Sequence, residues 1–310
     1  MTWKWPSFQR TGPLLGLLLI AVILTILEPR FLTVSNLFNL IRQVSINAII
    51  AFGMTFVILT GGIDLSVGSI LAFVGAVVAG LLAADVNLFV AIIIGIVLGA
   101  LSGLLNGILV AKGRLAPFIV TLATMTIFRG LTLAYTEGRP ITGLPAHFRL
   151  IGTGEIAGVP LPIVLTALFF LLFYLVLNHT IFGRRVYTIG GNEEAARLSG
   201  MNTDRIKMLV YMISGVTAAI SAIILTARLN SAQPTAGLTF ELDAIAAVVL
   251  GGTSLSGGYG TLGGTLVGAL MIGVLNNGLN MLNVPSFYQQ VVKGLVILIA
   301  VLLDRRKSNK

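Results

Sequence analysis

Long apolar stretches separated by short polar ones dominate this chain. A helix that crosses a bilayer needs about 17 to 25 apolar residues, and fewer where neighbouring helices bury it. The pattern predicts about ten such helices, near residues 14–27, 44–60, 67–84, 88–111, 117–135, 160–177, 208–227, 242–255, 262–282 and 287–303. No small-residue cleavage site follows the first stretch, so we expect it to remain as a span. The fold class predicted is an all-α polytopic membrane protein with one transmembrane domain over residues 1–310.

Basic residues lie mainly in alternate connections between these spans. With a cytoplasmic N-terminus and ten alternating spans, 13 of the 20 Lys and Arg residues face the cytoplasm, which is the usual asymmetry. They are Lys4, Arg10, Lys112, Arg114, Arg184, Arg185, Arg197, Arg205, Lys207, Arg305, Arg306, Lys307 and Lys310. Both termini are therefore predicted to be cytoplasmic. This topology accounts for the excess of basic residues that gives the chain a net charge of +9. We therefore predict no nucleic-acid partner.

Composition supports the membrane prediction and narrows the chemistry. Only 10% of residues are charged and 56% are hydrophobic, whereas soluble domains carry about 25% charge. The chain has no cysteine and two distant histidines, His147 and His179. We therefore predict no disulfide and no metal site.

Glycines recur at every fourth position in two of the predicted spans. Such ladders let helix backbones approach closely in lipid, where small residues drive packing. They consist of Gly95, Gly99, Gly103 and Gly107, and of Gly260, Gly264 and Gly268. We expect both spans to lie inside the helix bundle.

Two similar glycine-rich segments interrupt apolar sequence 190 residues apart. "GGIDLSVG" (61–68) and "GGTSLSGG" (251–258) indicate two diverged halves. Matched helix breaks in two halves favour a transport pathway, because irregular backbone at membrane depth must be buried in protein or line a cavity. Alternatively they are tight turns, with the Asp64 carboxylate capping the next helix. The candidate pathway or gate residues are Asn47, Gly61, Gly62, Asp64, Ser66, Gly251, Gly252, Ser254 and Ser256.

Other polar residues within the spans have two interpretations each. Arg129 needs a partner or a wet surface, or reaches the membrane edge with its long side chain. The amides either hydrogen-bond between helices or bind ligand hydroxyls. They are Asn47, Asn106, Asn276, Asn277 and Asn280.

The polar connection at 183–207 contains a short predicted helix. Asn192 suits its N-cap, Glu193 and Glu194 its first turn, and Gly200 its C-cap. So short a helix is marginal alone, so it docks on a partner or lies on lipid.

At this connection the chain resembles a known family. "GGNEEAARLSGMN" resembles the Glu-Ala-Ala loop of permeases in ATP-binding-cassette (ABC) importers, and segments 33–69, 110–122, 227–261 and 275–280 resemble the pentose and hexose permeases of that class. The resemblance implies a homodimer in the bacterial inner membrane that imports ribose or a related monosaccharide by alternating access. A periplasmic sugar-binding protein and a cytoplasmic ATPase would be its partners. The chain lacks a G-x-x-x-x-G-K-[ST] motif, so ATP and Mg are expected in the ATPase, with no cofactor or enzymatic activity here.

The resemblance also implies roles for two groups of residues. The helix that couples to the ATPase would comprise Asn192, Glu193, Glu194, Ala195, Ala196, Arg197 and Gly200. The binding protein would dock on the outer segment 230–241, at Ser231, Gln233, Pro234 and Thr235. One alternative from the residues alone is a proton-coupled secondary transporter that uses Asp64 as its protonation site. Another is an intramembrane enzyme, for which the spans lack an evident nucleophile and base.

Overall fold

The structure, a computed structural model, describes residues 7–308, with side chains described for 12–296, 298 and 302. Helices make up most of this range. They are α1 (Ser7–Leu27), α2 (Val34–Leu59), α3 (Val67–Ala83), α4 (Leu88–Ala111), α5 (Pro117–Thr136), α6 (Ala146–Thr153), α7 (Leu161–His179), α8 (Ile181–Gly191), α9 (Glu193–Leu198), α10 (Thr203–Leu229), α11 (Phe240–Leu250), α12 (Leu262–Met281) and α13 (Ser286–Ser308).

Short irregular elements join these helices. A 3-10 turn (Pro29–Leu32) connects α1 to α2. Strand β1 (Ile141–Thr142) pairs antiparallel with β4 (Ser231–Ala232), with Ile141 opposite Ala232. Strand β2 (Glu155–Ile156) pairs antiparallel with β3 (Val159–Pro160). The β1–β4 pair marks one end of the bundle.

Each of the ten predicted apolar segments overlaps a helix. Within residues 7–308, six helices are long and apolar enough to cross a membrane: α2, α4, α5, α7, α10 and α12. Shorter apolar helices cover Gly12–Leu27 and Val67–Ala83. Helix α8 was not predicted, because its glycines and arginines give no long apolar run.

Helix α2 forms the centre of the bundle. Its residues from Ala48 to Leu59 are buried without exception. A helix that is apolar around its whole circumference is expected to be surrounded by others, and α2 packs against α7, α10, α11 and α12. The neighbouring helices are therefore positioned around the end of α2 where the first glycine-rich segment begins.

The glycine ladder of α4 packs against α10, but α4 is not an interior helix. A Cβ atom on Gly99 would lie 2.5 Å from the Gly215 carbonyl oxygen and 2.5 Å from the Cβ of Ala219, so only glycine allows this approach. The opposite face exposes large side chains such as Ile93 and Val97. The prediction of an interior position was wrong for α4, because its glycines line only one face.

In the second glycine ladder, two of the three glycines lie on a helix. Gly264 and Gly268 lie on α12, where added Cβ atoms would overlap the carbonyl oxygens of Gly251 and Ala247. Gly260 precedes α12 and has a φ of 154°, so it belongs to the preceding connection. The four-residue spacing of glycines therefore includes one residue, Gly260, that does not belong to helix α12.

Helix α11 is about half a membrane span, which corrects the predicted span at 242–255. It has 11 residues and ends at Leu250, so it is about 16 Å long against an apolar core of about 30 Å. Hydropathy alone did not show this end, because Leu255 and the glycines keep the window apolar.

The chain before α11 re-enters the bundle. On α3, Gly75 lies beside Thr226, near the end of α10, with a Cβ-to-Oγ1 separation of 2.8 Å for an added Cβ. Gly68 lies seven residues earlier on α3, about 10 Å away, at the end of the first glycine-rich segment. It lies against Gly237, whose added Cβ would be 3.1 Å from the Gly68 Cα. Residues 233–239 therefore return from the β1–β4 end into the bundle, and this re-entrant segment leads into α11.

Candidate functional site

The two glycine-rich breaks meet at the end of the bundle opposite the β1–β4 pair. The backbone N–H of Gly258 donates to the carbonyl oxygen of Leu59 over 2.9 Å. A Cβ atom on Gly257 would lie 2.9 Å from the backbone nitrogen of Gly61. The structure therefore brings the two segments of the repeat into direct backbone contact.

Asp64 is the centre of a buried polar network in the first break. Its Oδ1 accepts hydrogen bonds from the backbone nitrogen of Ser66 at 3.0 Å and from the Ser66 hydroxyl at 2.6 Å. Its Oδ2 accepts from the Ser214 hydroxyl of α10 at 2.7 Å. All three residues are 0% exposed. The carboxylate thus ties the turn between α2 and α3 to α10.

Asn106 extends this network to α4. Its Nδ2 donates to the Ser66 hydroxyl at 2.8 Å, so that hydroxyl both donates and accepts. The N-cap residue of α3 is Ser66, whose side chain makes no cap hydrogen bond, and Asp64, the cap in one of the two interpretations, lies two residues before it. The Asp64 carboxylate instead closes a turn two residues long. Gly62 lies against the Tyr211 hydroxyl, which has no hydrogen-bond partner and would be 2.5 Å from an added Cβ.

The second break has no carboxylate. Gly251 is the C-cap of α11, and Gly252 has a φ of 88° that favours glycine. Ser254 stands where Asp64 stands in the first copy, and its backbone nitrogen donates to the Tyr259 carbonyl oxygen at 2.9 Å. Ser256 is exposed, and its backbone nitrogen donates to the Ser254 hydroxyl at 3.3 Å. The repeat therefore includes the glycine turns and this hydrogen bond to the side chain two residues earlier, which Ser66 makes to Asp64 in the first break, and the two copies differ in that only the first has a carboxylate there.

Asn47 lies apart from the breaks. It precedes Leu59 by 12 residues on α2, which is about 18 Å. The residue is half-buried, and its enclosed Oδ1 has no hydrogen-bond partner. The structure therefore does not bring Asn47 together with the other candidate pathway residues.

The remaining amides mostly join helices. The side chains of Asn36 and Asn277 donate to each other over 3.0 and 2.9 Å, which links α2 to α12. Asn276 hydrogen-bonds to Asp243, which is also 3.0 Å from the Lys293 ammonium. Asn280 accepts a 2.9 Å hydrogen bond from Gln289.

The predicted short helix at residues 192–200 is present as α9. The Asn192 side chain accepts a hydrogen bond from the Ala195 backbone nitrogen at 2.9 Å. Glu193 pairs with Lys207 of α10 and, at 3.3 Å, with Arg197. Gly200 follows the helix end with a φ of 81°. The helix is therefore capped at both ends and attached to α10.

One residue of α9 escaped the sequence analysis. Leu198 is 84% exposed, more than any other large hydrophobic residue among those whose side chains are described. Ala196 is buried, whereas Glu194 and Ala195 are exposed. The sequence did contain a signal for a docking contact, because Leu198 is an apolar residue at the end of a short charged helix.

Helix α8 connects α9 to both breaks. The Tyr187 hydroxyl donates to the Gly260 carbonyl oxygen at 2.8 Å. Burial raises the pKa of Tyr187 to about 12, so its hydroxyl stays protonated at neutral pH. A Cβ atom on Gly190 would overlap the Leu59 carbonyl oxygen and the Gly258 nitrogen. The segment before α9 therefore touches the first break, the second break and the connection between the second break and α12.

Arg129 holds the re-entrant segment. One terminal nitrogen of its guanidinium donates to the carbonyl oxygens of Pro234 at 2.8 Å and Ala236 at 2.9 Å. Its partner is thus backbone, which the sequence did not indicate. Of the four residues predicted to dock a binding protein, Ser231 and Pro234 are buried, Gln233 is half-buried and Thr235 is exposed. The predicted outer loop is in large part an inward-folded segment.

Comparison with known proteins gives consistent matches over nearly the whole chain. A family model described as "Branched-chain amino acid transport system / permease component" matches residues 36–301. The ribose import permease protein RbsC of Bacillus subtilis (strain 168) is 60% identical, over 97% of this chain and 94% of that protein. The RbsC protein of Escherichia coli (strain K12) is 52% identical, over 99% and 96%. The L-arabinose transport system permease protein AraH of the same strain is 39% identical, over 98% and 94%.

Proposed function

Because this chain belongs to the permease family of ABC importers, we propose that it carries ribose or a closely related monosaccharide across the bacterial inner membrane. The observation that carries this proposal is the 60% identity with a ribose import permease over 97% of the chain. The chain has no phosphate-binding loop motif. A separate ATPase subunit would therefore bind ATP and Mg and supply the driving energy.

The proposed topology has ten spans with both termini in the cytoplasm. Its support is that α1 to α5, α7 and α10 to α13 match the ten apolar segments, and that basic residues collect at alternate connections. The half-length α11 completes its span with the re-entrant segment 233–239. Two copies would form the transporter, as the family resemblance implies.

The coupling helix is proposed to be α9, with Asn192, Glu193, Glu194, Ala195, Ala196, Arg197 and Gly200 as its residues and Leu198 as its apolar contact. A side chain that is 84% exposed at the end of a short polar helix is suited to insertion into a cleft of the partner. The ion pair between Glu193 and Lys207 would pass a displacement of α9 into α10.

The two breaks are proposed as a gate at the cytoplasmic end. Ribose is neutral, so a gate needs no charged ligand, and backbone groups freed by glycine turns are able to exchange partners as the helices move. Ser231, Gln233, Pro234 and Thr235 remain the proposed docking region for a periplasmic binding protein, with the exposed Thr235 as its most accessible member.

Reconstitution in proteoliposomes tests the proposal. With an ABC ATPase and a ribose-binding protein from the same source, we expect ribose uptake that requires ATP. The chain alone should not accumulate ribose in a pH gradient. Accumulation by the chain alone would refute the proposal and favour the proton-coupled alternative.

A matched pair of variants tests the docking contact. Leu198→Ala should reduce co-purification of the ATPase. Leu32→Ala removes a side chain that is 54% exposed at the opposite end of α2 and should leave co-purification unchanged. Equal co-purification from both variants would remove Leu198 from the interface.

A further inference from the structure

The backbone of Gly190 packs against the hydrogen bond that joins the two breaks. That bond runs from the Gly258 nitrogen to the Leu59 carbonyl oxygen over 2.9 Å. A side chain at Gly190 would overlap both of these atoms. From the other side, a Cβ on Gly257 would lie 3.1 Å from both the Cα and the carbonyl oxygen of Gly190. Three stretches of backbone therefore meet with no side chain between them.

Tyr187 makes a second connection from the same helix. It lies one turn before Gly190 on α8, and its hydroxyl donates to the carbonyl oxygen of Gly260 over 2.8 Å. Gly260 lies between the second break and α12, which begins at Leu262. Helix α8 is thus held at two points, by packing against the second break and by a hydrogen bond to the connection that follows this break.

The joint between α8 and α9 is a single residue. Asn192 ends α8, where its backbone nitrogen donates to the Thr188 carbonyl oxygen at 3.1 Å. The same residue starts α9, where its side chain accepts from the Ala195 nitrogen at 2.9 Å. Because one residue serves as the cap of both helices, little slack separates them. Gly190 is only two residues from Asn192, so a displacement of α9 would also move Gly190.

We propose that Gly190 and Tyr187 are positioning residues that transmit movement of α9 to both breaks and so set how much sugar crosses per ATP hydrolysed. This inference rests on the proposed function, because it assumes that α9 docks on an ATPase. It adds a route through α8 to both halves of the repeat, separate from the ion pair that attaches α9 to α10.

Two substitutions test the inference in the reconstituted complex. Gly190→Ala inserts a methyl group where the two breaks meet, and we expect the ribose imported per ATP hydrolysed to fall about tenfold or more. Tyr187→Phe removes only the hydrogen bond to Gly260, and we expect a fall of about 2- to 10-fold. ATP hydrolysis and ATPase co-purification should stay within about twofold of wild type, because the exposed face of α9 is unchanged. A merely structural defect would lower these readouts together with transport.

The neighbouring glycine provides a matched control. An added Cβ on Gly191 meets no atom within 4 Å, and the same holds for Gly263 on α12. Gly191→Ala and Gly263→Ala should therefore keep the wild-type ratio of ribose to ATP.

The outcomes separate this inference from the proposed function. If the wild-type complex shows no ATP-dependent uptake, the proposed function itself fails. If the wild type imports ribose and both Gly190→Ala and Tyr187→Phe keep its ratio, only the role of α8 is overturned. If Gly190→Ala does not assemble, Tyr187→Phe decides: a lowered ratio supports the inference, and an unchanged ratio overturns it.

Discussion

Replacing Asp64 by alanine removes the acceptor on which three buried hydrogen bonds converge. The backbone nitrogen of Ser66 would lose its partner and, in a fixed turn, has no way to reorient. The hydroxyls of Ser66 and Ser214 are able to rotate, so each loses less. An unsatisfied buried donor costs about 1–3 kcal/mol and an ordinary hydrogen bond about 0.5–1.5 kcal/mol. We therefore expect Asp64→Ala to destabilise the protein by about 3 kcal/mol.

Asp64→Asn is the informative control. Its side-chain oxygen still accepts from the Ser66 nitrogen and hydroxyl, and its amide is able to donate to the Ser214 oxygen. The geometry is thus kept while the charge and the ability to release a proton are lost. We expect a cost of about 1 kcal/mol or less and near-normal uptake.

Thermal unfolding in detergent and ribose uptake together measure these effects. A loss of about 3 kcal/mol should lower Tm by about 5 °C, because an unfolding entropy of about 2.1 cal/mol/K per residue is about 0.65 kcal/mol/K for 310 residues, whereas Asp64→Asn should shift Tm by about 2 °C at most. Uptake by Asp64→Ala should fall even though the protein inserts. A wild-type Tm for Asp64→Ala, with uptake abolished in Asp64→Asn, would refute the structural role and indicate proton chemistry.

Two further predictions concern contacts that the sequence did not reveal. Arg129→Gln loses the charge-assisted hydrogen bonds to two carbonyl oxygens of the re-entrant segment. Ribose uptake should therefore fall at least tenfold, and residues 233–239 should become accessible to a protease added from outside. Unchanged uptake and unchanged protection from the protease would contradict this prediction. In the Asn36–Asn277 pair, Asn36→Leu leaves the Asn277 amide without its partner and also removes the hydrogen bond to the Phe31 carbonyl oxygen, so it should cost about 2 kcal/mol. The double change leaves no stranded Asn277 amide, so it should be more stable than Asn36→Leu alone in thermal unfolding; a double-variant loss equal to the sum of the two single losses would show that the two amides do not interact.

The sequence was sufficient for the long apolar helices but not for α8 or for the depth of each helix. Apolar length located ten segments that each overlap a helix, because hydropathy is a local signal. The end of α11 at Leu250 was missed, since residues 251–255 carry no charge that would mark the end of the apolar run. The inward turn at 233–239 depends on Arg129, a hundred residues away in sequence. The hydropathy of a segment depends only on its own residues, so it does not reveal a contact with a distant one.

The same distinction applies to the candidate site. The repeat of glycine pairs identified both breaks, and the capping residues identified α9. Asp64 accepts from Ser214 of α10, 150 residues away, and its neighbour Ser66 accepts from Asn106 of α4, 40 residues away, so no local pattern indicated these partners. Gly190 was not selected, because its importance arises only from what touches it.

The hydrogen bond between the breaks limits how the proposed gate would open. The Gly258 N–H and the Leu59 carbonyl satisfy each other, and Leu59 is fully buried. Any motion that separates the breaks exposes one donor and one acceptor, each costly unless a new partner is available. Water and the hydroxyls of a sugar are such partners, whereas lipid is not. The breaks should therefore separate only into a wet passage, as the proposed gate for a neutral, hydroxyl-rich cargo requires.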